Sequence, residues 1–281
     1  MDIIYNTFGL NRWRRLILLK VLVNGACGRM GQMVVKTVLA DEEMELVGAV
    51  DIKAHQDIGE AIGAGKCGVA VSTDLETALK ESRAEVMIDF TRPDVVFGNV
   101  MMALKNHVSP VVGTTGLSKA QQEEIRQAAE KENTPAFIAP NFAIGAVLLM
   151  MLSAQAAKYM PEVEIIELHH DKKLDAPSGT AVQTANMIAE VRKAHIQGNP
   201  DEKEKEGFEG ARGADFEGMR VHSVRLPGYV ASQEVIFGGL GQTLTIRHDT
   251  TSRESFMPGV ALAAKRVRGL KGLTIGLDKL L

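Results

Sequence analysis

The stretch Val21-Leu22-Val23-Asn24-Gly25-Ala26-Cys27-Gly28-Arg29-Met30-Gly31 decides the fold of the first half of the chain. The apolar run predicts a buried strand, the three glycines spaced G-x-x-G-x-x-G predict a tight turn, and the pattern over 30–39 predicts a helix. Such glycines let the backbone approach a pyrophosphate, and the free N–H groups of a helix N-terminus favour anions. Arg29 adds a positive charge. The stretch predicts a dinucleotide-binding loop; a glycine-rich turn without a ligand is the alternative.

An acidic residue stands where the ribose of a dinucleotide is expected. Asp51 ends the second predicted strand, 46–50, and lies 23 positions after Gly28. A carboxylate at this place accepts hydrogen bonds from ribose hydroxyls. The order of strand, glycine loop, helix and acid therefore favours a dinucleotide site over an empty turn.

Short strands alternate with helices up to about Asn141. The strands are short and uniformly apolar, which is typical of a parallel sheet covered by helices on both faces. The predicted strands are 21–23, 46–50, 69–71, 86–88, 110–112 and 137–139, and the predicted helices are 30–39, 75–80, 95–106 and 119–132, the last with Ser118 as its N-cap.

The pattern changes after Asn141. We expect an apolar helix over 143–158, a half-exposed strand over 163–168, a helix from 180 to about 194, a mobile loop over 198–218, three strands over 219–226, 232–238 and 242–248, and a helix over 253–269. Turn-like glycines between the later strands favour antiparallel or mixed pairing. The fold class is therefore α/β, with a parallel-sheet dinucleotide domain and an α+β domain that has a mixed sheet.

The composition excludes several classes of protein. Of 281 residues 45% are apolar and 24% charged, which is ordinary for a globular chain. A net charge of −3, a pI near 6.2 and an aromatic content of 5% argue against a nucleic-acid partner. The two cysteines, Cys27 and Cys67, form no CxxC, so we expect neither a disulfide scaffold nor a metal site. No stretch resembles a membrane span, and we expect a cytoplasmic protein without a membrane partner.

A second group of reactive residues lies in Glu167-Leu168-His169-His170-Asp171-Lys172-Lys173-Leu174-Asp175-Ala176-Pro177-Ser178-Gly179-Thr180. Two histidines and two lysines follow a strand, and Ser178 is a natural N-cap for the next helix. Gly179 lets a carboxylate approach backbone N–H groups, while the cationic side chains supply positive charge. The run predicts a site for a small anionic substrate with a proton donor nearby. Metal binding by the paired histidines and a solvated polar turn are the alternatives.

Together these segments resemble the dihydrodipicolinate reductase family. The likeness extends from about Lys20 to the C-terminus, and its most specific element is the H-H-x-x-K-x-D-A-P-S-G-T run. The other matching segments are 23–31, Asp89-Phe90-Thr91-Arg92-Pro93, Gly113-Thr114-Thr115-Gly116 and Asn141-Phe142.

The resemblance implies a Rossmann-type dinucleotide domain that uses NADH or NADPH and no metal. The positions that match the family's cofactor-binding residues are Gly25, Ala26, Cys27, Gly28, Arg29, Met30, Asp51, Gly113, Thr114, Thr115, Ala139, Pro140, Asn141 and Phe142. Some members carry Arg directly after the ribose acid, where this chain has Ile52 followed by Lys53. The choice between the two cofactors therefore stays open, and we expect both to be used.

The resemblance also implies the reaction and its residues. The family reduces 4-hydroxy-tetrahydrodipicolinate (dihydrodipicolinate) to tetrahydrodipicolinate in diaminopimelate and lysine biosynthesis. His169 matches the general acid, Lys173 the second proton donor, and His170, Gly179 and Thr180 the groups that hold the dicarboxylate. By the same likeness, 20–142 and 249–281 form the cofactor domain, and 143–248 binds substrate and builds a homotetramer.

Two other functions compete with this one. The first is another dehydrogenase with the same dinucleotide fold, acting on an amino acid or a semialdehyde; it would lack the double-histidine run. The second is a non-catalytic NAD(H) sensor, which has no need for histidines and a lysine converging on an anion site.

Residues 1–19 form an extension outside the family match. The arginines Arg12, Arg14 and Arg15 precede an apolar run too short for a signal peptide, and no small-residue cleavage site follows. Arg14-Arg15 is compatible with AGG-AGG codons, a ribosome-binding sequence, and Leu19 with a TTG start codon. We therefore hypothesise that translation in the cell begins at or near Leu19.

Overall fold

The computed structural model describes residues 18–192, 195, 197–198 and 205–281. Most of the N-terminal extension lies outside these residues, and Leu19 already belongs to the first strand. The chain divides into two compact units: unit 1 contains the part up to Phe142 together with Phe256–Leu281, and unit 2 contains Ala143–Ser255.

Twelve strands and eight α-helices are found among the described residues. The strands are β1 (Leu19–Asn24), β2 (Met44–Val50), β3 (Val71–Ser72), β4 (Val86–Asp89), β5 (Ser109–Val112), β6 (Ala136–Ile138), β7 (Glu162–His169), β8 (Ala214–Phe216), β9 (Met219–Arg225), β10 (Ala231–Gly239), β11 (Gln242–Thr250) and β12 (Leu273–Ile275). The α-helices are α1 (Arg29–Ala40), α2 (Ile58–Ala61), α3 (Leu75–Ser82), α4 (Val96–Lys105), α5 (Lys119–Lys131), α6 (Ile144–Ala157), α7 (Gly179–Arg192) and α8 (Met257–Arg266).

Unit 1 is built on a seven-stranded sheet in the order β12-β6-β5-β4-β1-β2-β3. All its pairings are parallel. Because β1 lies between β4 and β2, the chain winds outward from β1 in both directions. Ligands of such sheets bind in the crevice beyond the carboxyl ends of the strands at this switch point. The predicted doubly covered parallel sheet is confirmed.

Apolar spacing explains how the helices cover this sheet. α4 buries Val96, Val100 and Leu104, which lie four residues apart on one face, against Ile125 and other apolar residues. Burying each such side chain contributes about 1.5–3 kcal/mol. Ser118 caps α5 in a reciprocal capping box with Gln121, so the predicted N-cap is confirmed.

Unit 2 contains a five-stranded sheet in the order β11-β10-β7-β9-β8. β7 and β9 are parallel and the other pairs are antiparallel, so the predicted mixed sheet is confirmed. Along β7, Val163, Ile165 and Glu167 are buried and alternate with half-exposed residues. A carboxylate therefore occupies a position that the strand's own pattern assigns to the core.

Several sequence-based boundaries are wrong. The segment 198–218, which lies partly outside the described residues, was expected to be a loop but contains β8. This strand pairs with β9 through a turn at Glu217 and Gly218, and both residues have positive φ. The single helix expected over 253–269 is instead the α-helix α8 with a short 3-10 turn on either side. Pro258 lies in the first turn of α8 and fixes where the α-helix begins. The strand β12 was not predicted at all.

The second junction between the units also differs from the expected one. β11 continues to Thr250, and the division falls after Ser255 rather than after His248. Nine paired positions with β10 hold the whole of β11 in unit 2. Among the helices of the described ranges, none combines the length and apolar character needed to cross a membrane.

Candidate active site

Unit 1 contains an open cavity of about 600 Å³ at the carboxyl ends of β1, β2 and β4. This is the switch point of the sheet, where a dinucleotide is expected. Of the residues predicted to bind cofactor, it includes Gly25, Cys27, Gly28 and Asp51. Its further lining residues are Asn24, Val50, Ile52, Lys53, His55, Thr73, Leu75, Phe90, Thr91, Arg92, Val95 and Asn99.

Two glycines of the loop are required because a side chain would collide with backbone, and the third is the N-cap of α1. Gly25 has φ +80°, and a Cβ there would lie 2.5 Å from the carbonyl oxygen of Phe90. A Cβ on Gly31 would lie 1.9 Å from the carbonyl oxygen of Gly25, so this glycine lets α1 pack against the loop. Gly28 is the N-cap of α1 and supplies no side-chain hydrogen bond to the helix. The first turn of α1 also lacks acidic residues. Its N-terminus fits the pyrophosphate of a dinucleotide.

Asp51 is tied to this loop. Its Oδ2 accepts a 2.7 Å hydrogen bond from the N–H of Cys27, and its Oδ1 accepts one of 2.7 Å from Ile52. Burial and the charge of Asp51 raise the pKa of the Cys27 thiol, so Cys27 stays a thiol at neutral pH. Lys53 and His55 line the same cavity. Asp51 and the glycine loop thus form one hydrogen-bonded unit.

A buried carboxylate to which the sequence assigned no role organises the floor of the cavity. Asp89 is fully buried, and its Oδ2 accepts 2.9 Å bonds from the side-chain amides of Asn24 and Asn99. Its Oδ1 accepts 2.8 Å bonds from the hydroxyls of Thr91 and Thr114. Asp89 therefore fixes the ends of β1 and β4, the start of α4 and the loop after β5 relative to one another.

The other predicted cofactor residues lie beside the cavity lining. Ala26 is buried, and Arg29 and Met30 open α1. A Cβ on Gly113 would lie 2.1 Å from the ring of Phe90, which in turn contacts Phe142 with ring centroids 5.9 Å apart. Gly113, Thr114 and Thr115 follow β5, and Ala139, Pro140, Asn141 and Phe142 follow β6, at the same edge of the sheet.

In unit 2, three side chains from two strands form one hydrogen-bonded group at the end of β7. Oε2 of the fully buried Glu167 contacts Nδ1 of His169, which is largely buried itself. Arg225 on β9 makes two parallel bonds to the same carboxylate, of 2.6 and 2.9 Å. Burial raises the pKa of Glu167, but hydrogen bonds from His169, Arg225 and Ser223 outweigh it and lower the pKa to about 2. Glu167 is therefore ionised at neutral pH.

The loop after β7 carries the other predicted side chains. His170 is exposed, and its carbonyl accepts a 3.2 Å bond from the N–H of Lys173. Nζ of Lys173 lies 2.7 Å from Oδ1 of Asp175, and this hydrogen bond lowers the pKa of Asp175 against the effect of burial, which raises it. Nη2 of Arg225 donates to the carbonyl of Asp175 at 2.7 Å. The loop is thus attached to the Glu167 carboxylate through Arg225.

The start of α7 is open at the position predicted to receive a carboxylate. Ser178 accepts a 3.2 Å bond from the N–H of Ala181 and is the N-cap, as predicted. The N–H of Ser178 donates to Oε1 of Glu167 at 3.3 Å. Gly179 is exposed, and a Cβ built on it would meet no atom within 4 Å. Thr180 follows in the first turn.

Neither Glu167 nor Arg225 received a role from the sequence. The signal that could have identified Glu167 is an acid at a buried position of an alternating strand, two residues before a histidine. No local sequence pattern around Arg225 indicates a functional role for it. Within the described parts of the chain, no group of three His, Cys, Asp or Glu side chains could hold a metal ion.

A parallel sheet with a glycine loop and an acid at its switch point, together with a second unit in which one loop carries two histidines, a lysine and an open helix start, is typical of an NAD(P)H-dependent reductase. Two family models, for the N-terminus and the C-terminus of dihydrodipicolinate reductase, match residues 19–142 and 145–281. The chain belongs to the dihydrodipicolinate reductase family.

Individual relatives agree with this assignment. The chain is 54% identical over 265 residues to the 4-hydroxy-tetrahydrodipicolinate reductase of Desulfitobacterium hafniense, covering 94% of this chain and 98% of that one. It is 52% identical over 264 residues to the enzyme of the same name from Listeria welshimeri, covering 94% and 100%. A solved structure, dipicolinate-bound dihydrodipicolinate reductase from Paenisporosarcina sp. TG-14, superposes with a TM-score of 0.84 at 47% identity, covering 94% and 100%.

Proposed function

We propose that this protein reduces 4-hydroxy-tetrahydrodipicolinate to tetrahydrodipicolinate with NADH or NADPH, as a step of diaminopimelate and lysine biosynthesis. Each turnover transfers one hydride, consumes one proton and releases one water. The observation that carries the proposal is the loop between β7 and α7, which presents an imidazole, an ammonium group and an open helix start. Relatives with the corresponding names and the dipicolinate-bound neighbour support it.

The helix start binds the substrate in this proposal. A carboxylate accepts hydrogen bonds from the backbone N–H groups of Gly179 and Thr180, where the helix dipole favours negative charge. Gly179 leaves the space that such an approach requires. The exposed His170, at the β7 end of the same loop, adds a further donor. A planar dicarboxylate therefore suits the site better than a neutral substrate.

His169 and Lys173 supply the proton. Loss of the 4-hydroxyl group of the substrate together with a proton from C5, as water, leaves a ring double bond conjugated to the imine. A bound nicotinamide would supply hydride to C4 of that ring, which places negative charge on the conjugated imine. A protonated His169 or the ammonium group of Lys173 neutralises that charge by donating a proton. The positive charge of Lys173 and the N-terminus of α7 also stabilises the electron-rich transition state.

The cofactor is held by unit 1. Gly25 to Met30 bind the pyrophosphate, Asp51 binds the adenosine ribose, and the segments 113–115 and 139–142 bind the nicotinamide end. The packing of Gly31 against Gly25 and the bond from Cys27 to Asp51 support this assignment, because they keep the loop open toward the cavity.

A coupled assay tests the function directly. The synthase that makes the substrate is added in excess, and the loss of nicotinamide absorbance is followed with NADH and with NADPH. We expect turnover only when synthase and its substrates are present. Binding of NADH without turnover would favour a sensor, and turnover with amino acids or semialdehydes would favour a different dehydrogenase.

We also propose that the enzyme is a homotetramer in the cytoplasm. Unit 2 exposes large apolar side chains on α6 and on the β10–β11 hairpin, namely Leu148, Leu152, Leu240 and Leu244, which an assembly would cover. Both cysteines are thiols, as in a reducing compartment. Light scattering of the purified protein tests the assembly; a monomer at micromolar concentration would contradict it.

A further inference from the structure

Glu167 is a buried carboxylate with partners at both of its oxygens. It lies on β7 between the core residue Ile165 and His169, and its side chain is fully buried. A buried carboxylate is retained only where hydrogen bonds compensate the loss of water. Since Glu167 has no exposed surface, it acts on the reaction through the groups it contacts.

The contact with His169 fixes the imidazole. Oε2 of Glu167 meets Nδ1 of His169. Because the carboxylate is ionised and can only accept a hydrogen bond, the proton between them belongs to Nδ1. The other ring nitrogen, Nε2, is then the one that exchanges a proton with substrate. The carboxylate also places a negative charge beside the ring.

Arg225 connects the same carboxylate to the loop that carries Lys173. Its guanidinium binds both oxygens of Glu167, a two-pronged geometry that fixes orientation as well as charge. Its Nη2 also donates to the carbonyl of Asp175, whose side chain holds Lys173. The N–H of Ser178, at the start of α7, reaches Oε1 of Glu167. The three substrate-facing parts of the site thus meet at one carboxylate.

We propose that Glu167 is a positioning residue: it holds His169 with Nε2 toward the substrate and keeps a negative charge beside its ring, while Arg225 couples that orientation to the loop of Lys173. This inference rests on the proposed function, which makes His169 a proton donor. Glu167 on the same strand contacts His169 directly, and Arg225 on β9 and the Lys173–Asp175 ion pair in the loop are linked to it through that carboxylate.

Glu167→Gln is the direct test. The amide keeps the shape, removes the negative charge beside the imidazole and no longer fixes which ring nitrogen carries the proton. We expect kcat/KM at neutral pH to fall about 10- to 100-fold, part of the roughly 10²–10⁴ that a positioned proton donor contributes. The alkaline limb of the kcat/KM profile should move to lower pH, so that the loss is smaller at about pH 6 than at about pH 8. The Kd of NADH should stay unchanged.

Glu164→Gln is the matched control. Glu164 lies on the same strand and also binds an arginine and a histidine, Arg212 and His222, but its side chain faces away from His169. It should leave the pH profile unchanged. Glu167→Asp retains the charge on a shorter side chain, so kcat should fall while the alkaline limb stays near that of the wild type.

A second variant separates positioning from stability. Losing one partner of a buried ion pair leaves an unpaired buried charge, which destabilises the fold, whereas replacing both partners removes that destabilisation. Glu167→Gln combined with Arg225→Met should therefore melt at a higher temperature than Arg225→Met alone and still show the shifted profile. If the double variant is well folded but has the wild-type profile, positioning is refuted.

The outcomes distinguish the two proposals. An active wild type whose Glu167→Gln variant loses the same factor at every pH would overturn the positioning role and leave the proposed function standing. A wild-type enzyme that binds NADH but never reduces the substrate would overturn the proposed function, and the inference with it.

Discussion

Oδ2 of Asp51 accepts a 2.7 Å hydrogen bond from the backbone N–H of Cys27, so the acid at the end of β2 holds the glycine loop that follows β1. One carboxylate therefore serves two purposes. In the proposed cofactor site it presents an acceptor to the ribose, and it fixes the loop proposed to bind the pyrophosphate. Changing its charge and removing its side chain should have different effects.

Asp51→Asn should shift the cofactor preference toward NADPH. The negative charge repels a 2′-phosphate, while Lys53 and Arg92 line the same cavity and attract it. We expect the ratio of kcat/KM for NADPH to that for NADH to rise about tenfold, or ~1.4 kcal/mol. Asp51→Ala also removes the anchor of Cys27, so it should weaken both cofactors in addition to shifting the ratio. An unchanged ratio in both variants would contradict the charge argument.

Gly179→Ala should separate substrate binding from stability. A Cβ at this position meets nothing within 4 Å, so the fold accepts it, but the methyl group occupies the space in front of the helix start. We expect KM for the substrate to rise about tenfold, equivalent to ~1.4 kcal/mol, with no loss of thermal stability.

Gly98→Ala is the control for that change. Gly98 lies exposed inside α4 and is equally free of neighbours. Alanine is favoured over glycine in a helix interior by up to about 1 kcal/mol, so the free energy of unfolding should rise. The KM values should not change. A KM effect of equal size in both variants would remove the support for a carboxylate site at Gly179.

Lys173→Ala should abolish most turnover. The ammonium group is assigned to proton donation and charge stabilisation, so kcat should fall by about 10²–10⁴. NADH affinity, measured by fluorescence titration, should be nearly unchanged, because the residue lies in unit 2. The adjacent and exposed Lys172 provides the matched control, and Lys172→Ala should keep kcat within about twofold. Wild-type kcat in Lys173→Ala would refute the assignment.

Acid should destabilise the protein partly through Glu167. Its pKa is about 2 in the folded chain against 4.5 for an ordinary glutamate, so its ionised form stabilises the fold above pH 4.5. That contribution is lost as the pH falls from about 4.5 through about 2. Urea midpoints measured over this range should decline more steeply for the wild type than for Glu167→Gln. Parallel declines would show that the carboxylate is not paired in solution.

Most of unit 1 could be predicted because its signals are local. The apolar runs of β1 and β4 and the capping box at Ser118 are each visible within a few residues. The strands β8 and β12, each three residues long, carry too few positions to show a period.

The networks at the two sites could not be predicted in the same way. Asp89 receives its bond from Asn24 across 65 positions, and Glu167 meets Arg225 across 58. Pairings of this kind depend on which strands become neighbours, and no local pattern records that. The glycine loop and the double-histidine run are local, so the sequence could mark both as candidate sites without knowledge of these pairings.

The pairing of β12 with β6 has a consequence for how the protein is made. Strand β6 ends at Ile138, and its outer partner, the edge strand β12, begins only at Leu273, after all of unit 2. At a ribosomal rate of about 5–20 residues per second, the roughly 130 intervening residues take roughly 7–27 s to synthesise. During that interval unit 2 can fold while β6 still presents an open edge. The sheet of unit 1 is therefore completed last, although most of it is translated first.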